Sequence, residues 1–258
     1  ILFLIQHPEV ENVDWSSLKT VVYGASPIAQ DTLEKAIEIM DCEFWQVYGL
    51  TETNGAVTFL EPEDHDPSKN KLRSCGKPGY GAEIRIEDEN GKDLAVGEVG
   101  EIVIKSDNNM KGYWNNPKAT EESVVDGWFY SGDAGYFDED GFLYIHDRVK
   151  DMIVSGGENI YPAEVENALM SHDDILDAAV VGIPDEKWGE TVKGFVVLKE
   201  GVELKEEEII SYARTQIAGF KCPKSINYVS ELPRNPSGKI LRKDLRAPYW
   251  EGKDRNVS

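Results

Sequence analysis

The spacing of apolar and polar positions divides this chain into three textures. In the first, Leu18 to Tyr23 reads as a buried strand centred on Val21 and Val22, and Gly24-Ala25-Ser26-Pro27 ends it in a turn. Pro27 to Met40 has helical spacing, with Ile28, Leu33, Ala36, Ile37 and Met40 on roughly one face. Cys42 to Tyr48 reads as the next strand. This strand–helix–strand order predicts a parallel sheet, whose ligands gather at the carboxyl ends of the strands. Gly24-Ala25-Ser26 and Gly49-Leu50-Thr51-Glu52-Thr53 both fall at such ends. Residues 54–80 read as loop-rich, with a solvated acidic stretch from Glu61 to Asp66.

The second texture is alternation. Ala82 to Glu87 and Val99 to Lys105 alternate around an Asn90-Gly91 turn signal. Trp128 to Phe137 and Phe142 to Ile145 repeat the pattern around Asp138-Glu139-Asp140-Gly141. A small antiparallel sheet or barrel over 76–147 is predicted. The third texture, after Lys150, is α+β. A helix over 162–171 turns Val165, Ala168 and Leu169 inward, and 175–183 and 192–198 are apolar strands. A helix over 205–217 carries Ile209, Ile210 and Ala213 toward the core. A short strand over 225–229 and a helical turn or two over 239–245 finish the unit. The fold class is α/β with α+β: a parallel-sheet portion (1–75), a barrel portion (76–147), a joint (148–150) and a small domain (151–258).

Composition narrows the classes. At 40% hydrophobic and 29% charged, the 258 residues can bury a core and keep a polar surface. The formal charge of −21 argues against nucleic acid or an anionic membrane surface as a partner. Cys42, Cys75 and Cys222 are too scattered for a disulfide framework, so a reducing, cytoplasmic setting is expected. No run approaches the ~18 apolar residues of a membrane span. A first residue of Ile suggests a piece of something longer. Oligomeric state is left open.

Several groups can carry chemistry. Thr51, Glu52 and Thr53 offer two hydroxyls beside a carboxylate, the hard oxygens a magnesium–triphosphate needs; standing alone, the stretch reads better as a polar strand exit. Asp133, flanked by Gly132, Ala134 and Gly135, is either accessible to paired hydroxyls or a turn carboxylate capping its own backbone. Gly156-Gly157 allows a turn or a close ligand approach. Pro162 suits a helix start, and Glu164 and Glu166 fall at that helix's positive end. From Lys221 to Arg246, seven basic residues face two acidic ones, a window of formally +5. It is either an anion site or a solvated basic face. Lys239 follows Pro236-Ser237-Gly238, a loop that can carry it into a cleft. The four histidines show no metal-ligand spacing, and His172 is expected to face solvent.

Five stretches resemble one family in its own order. They are Tyr48-Gly49-Leu50-Thr51-Glu52-Thr53, Gly127-Trp128-Phe129-Tyr130-Ser131-Gly132-Asp133, Asp147-Arg148-Val149-Lys150, Gly156-Gly157-Glu158-Asn159-Ile160-Tyr161-Pro162 and Pro233-Arg234-Asn235-Pro236-Ser237-Gly238-Lys239. Together they resemble the adenylate-forming acyl-CoA synthetases, over nearly the whole chain. The resemblance implies a C-terminal portion of an enzyme that uses ATP and Mg²⁺ to make an acyl-AMP and then coenzyme A to form a thioester. It implies that Gly24, Ala25, Ser26, Tyr48, Gly49 and Tyr144 border the adenine and acyl pocket. Thr51 would meet phosphate, Glu52 would bind Mg²⁺, and Asp133 with Arg148 would hold the ribose. Lys239 would stabilise the charge that builds on the α-phosphate. Lys150 would be the hinge of a mobile lid, and Gly156, Gly157, Glu158 and Trp188 would lie along the pantetheine arm. Gly49, where short-chain relatives look to carry a tryptophan, would leave room for a medium- or long-chain fatty acid; an aromatic acid stays open. The family's Ser/Thr/Gly-rich phosphate loop does not occur in these residues. Loading of a carrier protein, a luciferase-type oxidation and nucleotide binding without catalysis remain alternatives.

Overall fold

Parallel pairing of two strands sets the first sheet. The computed structural model describes residues 1–252 apart from Pro27, Ala29, Pro236 and Ser237. The chain divides into two units, Ile1–Ile145 and His146–Ser258.

In the first unit a short helix α1 (Leu2–Ile5) precedes β1 (Thr20–Gly24), α2 (Gln30–Met40) and β2 (Glu43–Leu50). β1 and β2 pair in parallel, Thr20 opposite Glu43 through Gly24 opposite Val47, as the strand–helix–strand pattern predicts. The helical face predicted from spacing is the buried one: Leu33, Ala36 and Met40 pack on Phe44 and Leu72. Pro27, placed at the predicted helix start, lies outside the described residues. The loop reading of 54–80 is corrected. Gly55–Leu60 is a strand, β3, antiparallel to β2, and β4 (Lys77–Pro78) follows on its far side. The run GAVTFL is apolar enough for a strand, but Asn54 and Gly55 at its head mimic loop composition.

The alternating segments form the second sheet. β5 (Ala82–Glu87) pairs with β6 (Gly100–Ser106), β6 with β8 (Trp128–Phe137), and β8 with both β7 (Val124–Val125) and β9 (Leu143–Arg148). Helix α3 (Pro117–Ser123) leads into β7, capped by the Asn116 side chain accepting from Ala119 N–H. The two sheets share one core: Tyr48 and Val57 from the first meet Ile86, Ile102, Ile104, Phe129 and Leu143 from the second. Backbone bonds also join them, Cys75 N–H to Leu143 O at 2.6 Å and Leu143 N–H to Gly76 O at 2.8 Å. A Cβ at Gly76 would lie 1.9 Å from the Phe59 carbonyl, so this crossing requires glycine.

The second unit holds a hairpin, β10 (Ile153–Ser155) and β11 (Glu158–Ile160), then α4 (Pro162–Met170). β12 (Ile175–Asp185) and β13 (Gly189–Leu198) follow, then α5 (Glu206–Gln216), β14 (Ser225–Tyr228) and α6 (Arg242–Trp250). β12 and β13 are buried on both faces, which explains their unbroken apolar runs. Val180 and Val196 join Val165, Leu169, Ile209 and Ala213 on one side. Ala179, Val181, Phe195 and Val197 meet Leu232, Leu245 and Tyr249 on the other. The last helix runs past its predicted end at 245 despite Pro248. Tertiary anchors carry it: Trp250 Nε1 donates to Gly182 O at 2.9 Å, and Tyr249 OH accepts from Asn227.

Candidate functional site

In the first unit, two motifs 85 residues apart meet. Tyr48, near the end of β2, donates its hydroxyl to Asp133 Oδ2 on β8 at 2.8 Å. The Asp133 carboxylate is therefore turned into the structure, and the residue is only 7% exposed. Its own N–H donates to Ser131 Oγ at 3.1 Å. Burial, reinforced by the Asp133 charge, pushes the Tyr48 phenol far above its ordinary range, so it stays a donor. Tyr144 stacks on Tyr136 at 5.1 Å, and burial beside Asp138 pushes its phenol up to about 12.

The strand ends supply the rest of this set. Gly24 lies so close to β2 that a Cβ would sit 2.1 Å from Val47 O. Ala25 follows with φ 63°, a left-handed conformation rare for a residue with a side chain. Residues 51–53 form a single 3-10 turn after β2. Residue type alone treats Thr51 and Thr53 alike, the resemblance singles out Thr51, and the structure separates the two. Thr53 is buried, its hydroxyl engaged with Leu50 and with Gly55 O, so it builds the turn. Thr51 is exposed. Glu52 accepts from Tyr113 OH at 2.8 Å on Oε1, and its carbonyl accepts from Met110 N–H. That loop contact was invisible in sequence. A hexacoordinate Mg²⁺ is held by one or two carboxylates plus substrate phosphates. Glu52, with one oxygen steadied by Tyr113, fits that requirement; no cluster of three or more His, Cys, Asp or Glu occurs among the described residues.

Gly49 needs a different explanation from the one its sequence position suggested. A Cβ there would meet Gly55 O at 2.0 Å and Ala56 Cα at 2.8 Å. The missing side chain lets β2 and β3 approach at an irregular step in their register. Its direction is filled by backbone, so the open-pocket argument for chain length loses its basis.

In the second unit the structure joins Gly156 to Trp188. Gly156 N–H donates to Trp188 O at 2.8 Å, and a Cβ on Gly156 would lie 2.7 Å from the indole. Both Gly156 and Gly157 have positive φ, 62° and 87°, and space beyond Gly157 is open. Lys187 Nζ sits 4.4 Å over the Trp188 ring. Glu158 is exposed on β11. Arg148 and Lys150 are exposed, Lys150 in a 3-10 turn over Val149–Asp151. His172 is half-buried against Tyr212 rather than free in solvent.

The basic window is mostly neutralised. Lys221 pairs with Glu164 and Arg234 with Asp177. Arg242 grips Glu166, Asp147 and Asp151, and Arg246 takes Asp151. Glu166, read as a helix-dipole acid, is instead a buried partner that also accepts from Val180 N–H. Lys239 is exposed and has no carboxylate partner among the described residues. Pro236 and Ser237 of its loop lie outside them.

Comparison with known proteins extends these placements. The AMP-binding enzyme family matches residues 2–114, and the AMP-binding enzyme C-terminal domain matches 164–239. The chain is 42% identical over 255 residues to the fatty acid–[acyl-carrier-protein] ligase ScoC of Streptomyces coeruleorubidus, covering 99% of this chain and 49% of the relative. O-succinylbenzoate coenzyme A synthetase (MenE) from Bacillus subtilis, solved in complex with AMP, is 40% identical with a TM-score of 0.80. That likeness covers 89% of this chain and 46% of the other. The amide bond synthetase McbA from Marinactinospora thermotolerans is 35% identical with a TM-score of 0.85, covering 95% of this chain and 50% of the other. The chain thus spans about half the length of the relatives it matches. Sequence motifs that meet at Asp133 and likenesses running through both units lead to one conclusion: this chain belongs to the AMP-binding, adenylate-forming enzyme family.

Proposed function

We propose that this chain carries the C-terminal part of an acid–thiol ligase. The substrate carboxylate oxygen attacks the α-phosphorus of ATP, the bond from that phosphorus to the α,β-bridging oxygen breaks, and pyrophosphate leaves with the electron pair of that bond. The thiol of coenzyme A then attacks the acyl carbonyl, AMP leaves, and the thiol proton passes to solvent. The observation that carries this reading is the Tyr48–Asp133 contact beside the 51–53 turn. It offers a buried carboxylate for ribose hydroxyls near a hydroxyl and carboxylate suited to a metal–triphosphate.

Thr51 would bind phosphate and Glu52 the Mg²⁺, whose charge offsets that of the phosphates. Asp133 and Arg148 would hold the ribose, with Gly24, Ala25, Ser26 and Tyr144 lining the nucleotide. Lys239 would place a mobile cation where negative charge develops. Gly156, Gly157, Glu158 and Trp188 would accept the pantetheine arm, and Lys150 would act as hinge. A fatty acid is the favoured acyl donor, because ScoC is named for fatty acids. The same name supports a second reading, transfer to a carrier protein in place of coenzyme A.

The test is pyrophosphate exchange by the full-length protein across fatty and aromatic acids, followed by a choice of coenzyme A or carrier protein as acceptor. Lys239→Ala is expected to slow acyl-adenylate formation by ~10²–10³-fold and to spare thioester formation from supplied acyl-adenylate. Equal loss in both steps would sink the role given to Lys239.

A further inference from the structure

Lys239 lies in a segment whose described ends, Pro233–Asn235 and Gly238–Leu241, bond to one another, and the Arg234 side chain ties that segment to the sheet. Asn235 N–H donates to Lys239 O, and Lys239 N–H donates back to Asn235 Oδ1, both at 2.9 Å. Gly238 N–H donates to Asn235 O at 2.8 Å, with Gly238 at φ 85°. Leu241 N–H donates to Pro233 O at 2.8 Å, and Arg234 and Ile240 form a bridge at the loop's base. These bonds join the described residues on either side of the segment to each other. Ile240 packs on the apolar cluster of β12 and β13, but none of these contacts ties the Gly238 carbonyl to β12.

Arg234 does. Its Nη1 donates to Gly238 O, the carbonyl immediately before Lys239, at 2.6 Å. Its Nη2 donates to Asp177 Oδ2, also at 2.6 Å. Asp177 is itself fixed: it lies on β12 at the register shift beside Ile175, and its Oδ1 accepts from Ala178 N–H at 3.0 Å. A planar guanidinium can make both bonds at once in a set geometry, which a lysine cannot.

The geometry points to Arg234 and Asp177 as positioning residues: a brace that aims Lys239 by pinning the peptide before it to β12. This rests on the catalytic role proposed for Lys239. Neither brace residue touches substrate. The pair is partly exposed, at 41% and 26%, so its contribution to global stability is small. Its effect is on aim, where a ~1 Å displacement can cost up to ~10²-fold in rate.

The experiment uses the full-length enzyme and four variants: Arg234→Ala, Asp177→Ala, Lys239→Ala, and Arg234→Ala with Lys239→Ala. Single-turnover adenylation is expected to fall about tenfold in each brace variant, with thioester formation from supplied acyl-adenylate unchanged and melting temperature within about 2 °C of the parent. Asp177→Ala separates aim from field. Removing an anion favours an anionic substrate, so a field effect predicts equal or faster adenylation; the brace predicts slower. Arg234→Ala is expected to add nothing once Lys239 is gone. Amide exchange at Gly238 and Lys239 should quicken about tenfold in both brace variants, since the loop opens more often. Normal adenylation in both brace variants beside an impaired Lys239→Ala refutes the brace alone. Normal adenylation in Lys239→Ala refutes the lysine's role, and the brace falls with it. A full additional loss in the double variant, or parallel decline of both half-reactions, makes Arg234 structural.

Discussion

Arg242→Ala should destabilise the second unit far more than a helix-surface change would. The guanidinium donates to Glu166 through Nε at 3.0 Å and Nη2 at 2.6 Å, and its Nη1 lies 3.4 Å from Asp147 and 3.6 Å from Asp151. The side chains of Arg242, Asp147 and Glu166 are 13%, 5% and 7% exposed. Removing one member of a buried ion network costs ~3–5 kcal/mol, because the remaining charges stay buried without a partner. Here the lower end applies. Asp147 keeps the N–H groups of Arg148 and Ala163, and Glu166 keeps that of Val180. We therefore expect a loss of about 3 kcal/mol at pH 8. Burial pushes both carboxyls above their ordinary range, and Arg242 pulls them back. A carboxyl whose folded pKa is raised binds more protons folded than unfolded, so stability rises as pH falls from above the folded pKa toward the unfolded one. Without Arg242 both are raised further, and the deficit should shrink on acidification toward the carboxylate range. Urea unfolding of this chain from pH 8 to pH 5, read by amide exchange at Val180 and Ala163, measures it. A deficit below about 1 kcal/mol, or one that does not change with pH, refutes the reasoning.

Tyr48→Phe removes the donor to a buried carboxylate and should cost the first unit roughly 1–3 kcal/mol, read by urea unfolding; ATP affinity in the full-length enzyme should weaken with it, and unchanged values of both would dismiss the contact. Gly156→Ala forces a side chain to φ 62° against Trp188. The expectation is slowed thioester formation with adenylation intact, measured in single turnovers; impairment of adenylation alone would contradict it. Lys150→Pro fixes φ near −65° and removes an N–H, so a hinge residue there predicts that one half-reaction persists while the other drops by orders of magnitude; both persisting at normal rates rules the hinge out.

Legibility followed the range of the interaction. β12 and β13 were readable because burial on both faces leaves a continuous apolar run, and α2 because one face repeats at helical spacing. β3 was missed because Asn54-Gly55 carries loop chemistry while the strand's existence depends on β2 beside it. The end of α6 was missed because Pro248 signals a stop that Trp250 and Tyr249 override through distant contacts. The motif at 48–53 was visible and the resemblance singled out Thr51 and Glu52, but the part that Thr53 plays was not legible. Thr51 and Thr53 are the same residue type, and only the fold decides that Thr53 closes a turn while Thr51 faces out. Gly49 misled for a related reason. A glycine is compatible with an open pocket or with a close backbone approach, and only the position of Gly55 O distinguishes them.

The charge pattern carries the largest revision. A window of formally +5 in a chain of −21 suggests a surface that draws anions in. The pairing shows that Lys221, Arg234, Arg242 and Arg246 already face carboxylates. Their charges cancel at contact distance, well inside the ~8 Å over which salt screens exposed charges, so these four contribute little long-range field to steer an anionic substrate. On the function proposed above, attraction would rest on short-range groups: the hydroxyl at the 51–53 turn, the metal that Glu52 would bind, and Lys239. The arginines that looked like an anion site serve a different purpose. Arg242 anchors the segment around Asp147 and Asp151 to α4 and α6, and Arg234 anchors the loop that bears Lys239. In this unit the guanidinium groups hold the frame, and the proposed function leaves a lysine on a flexible stem to meet the substrate.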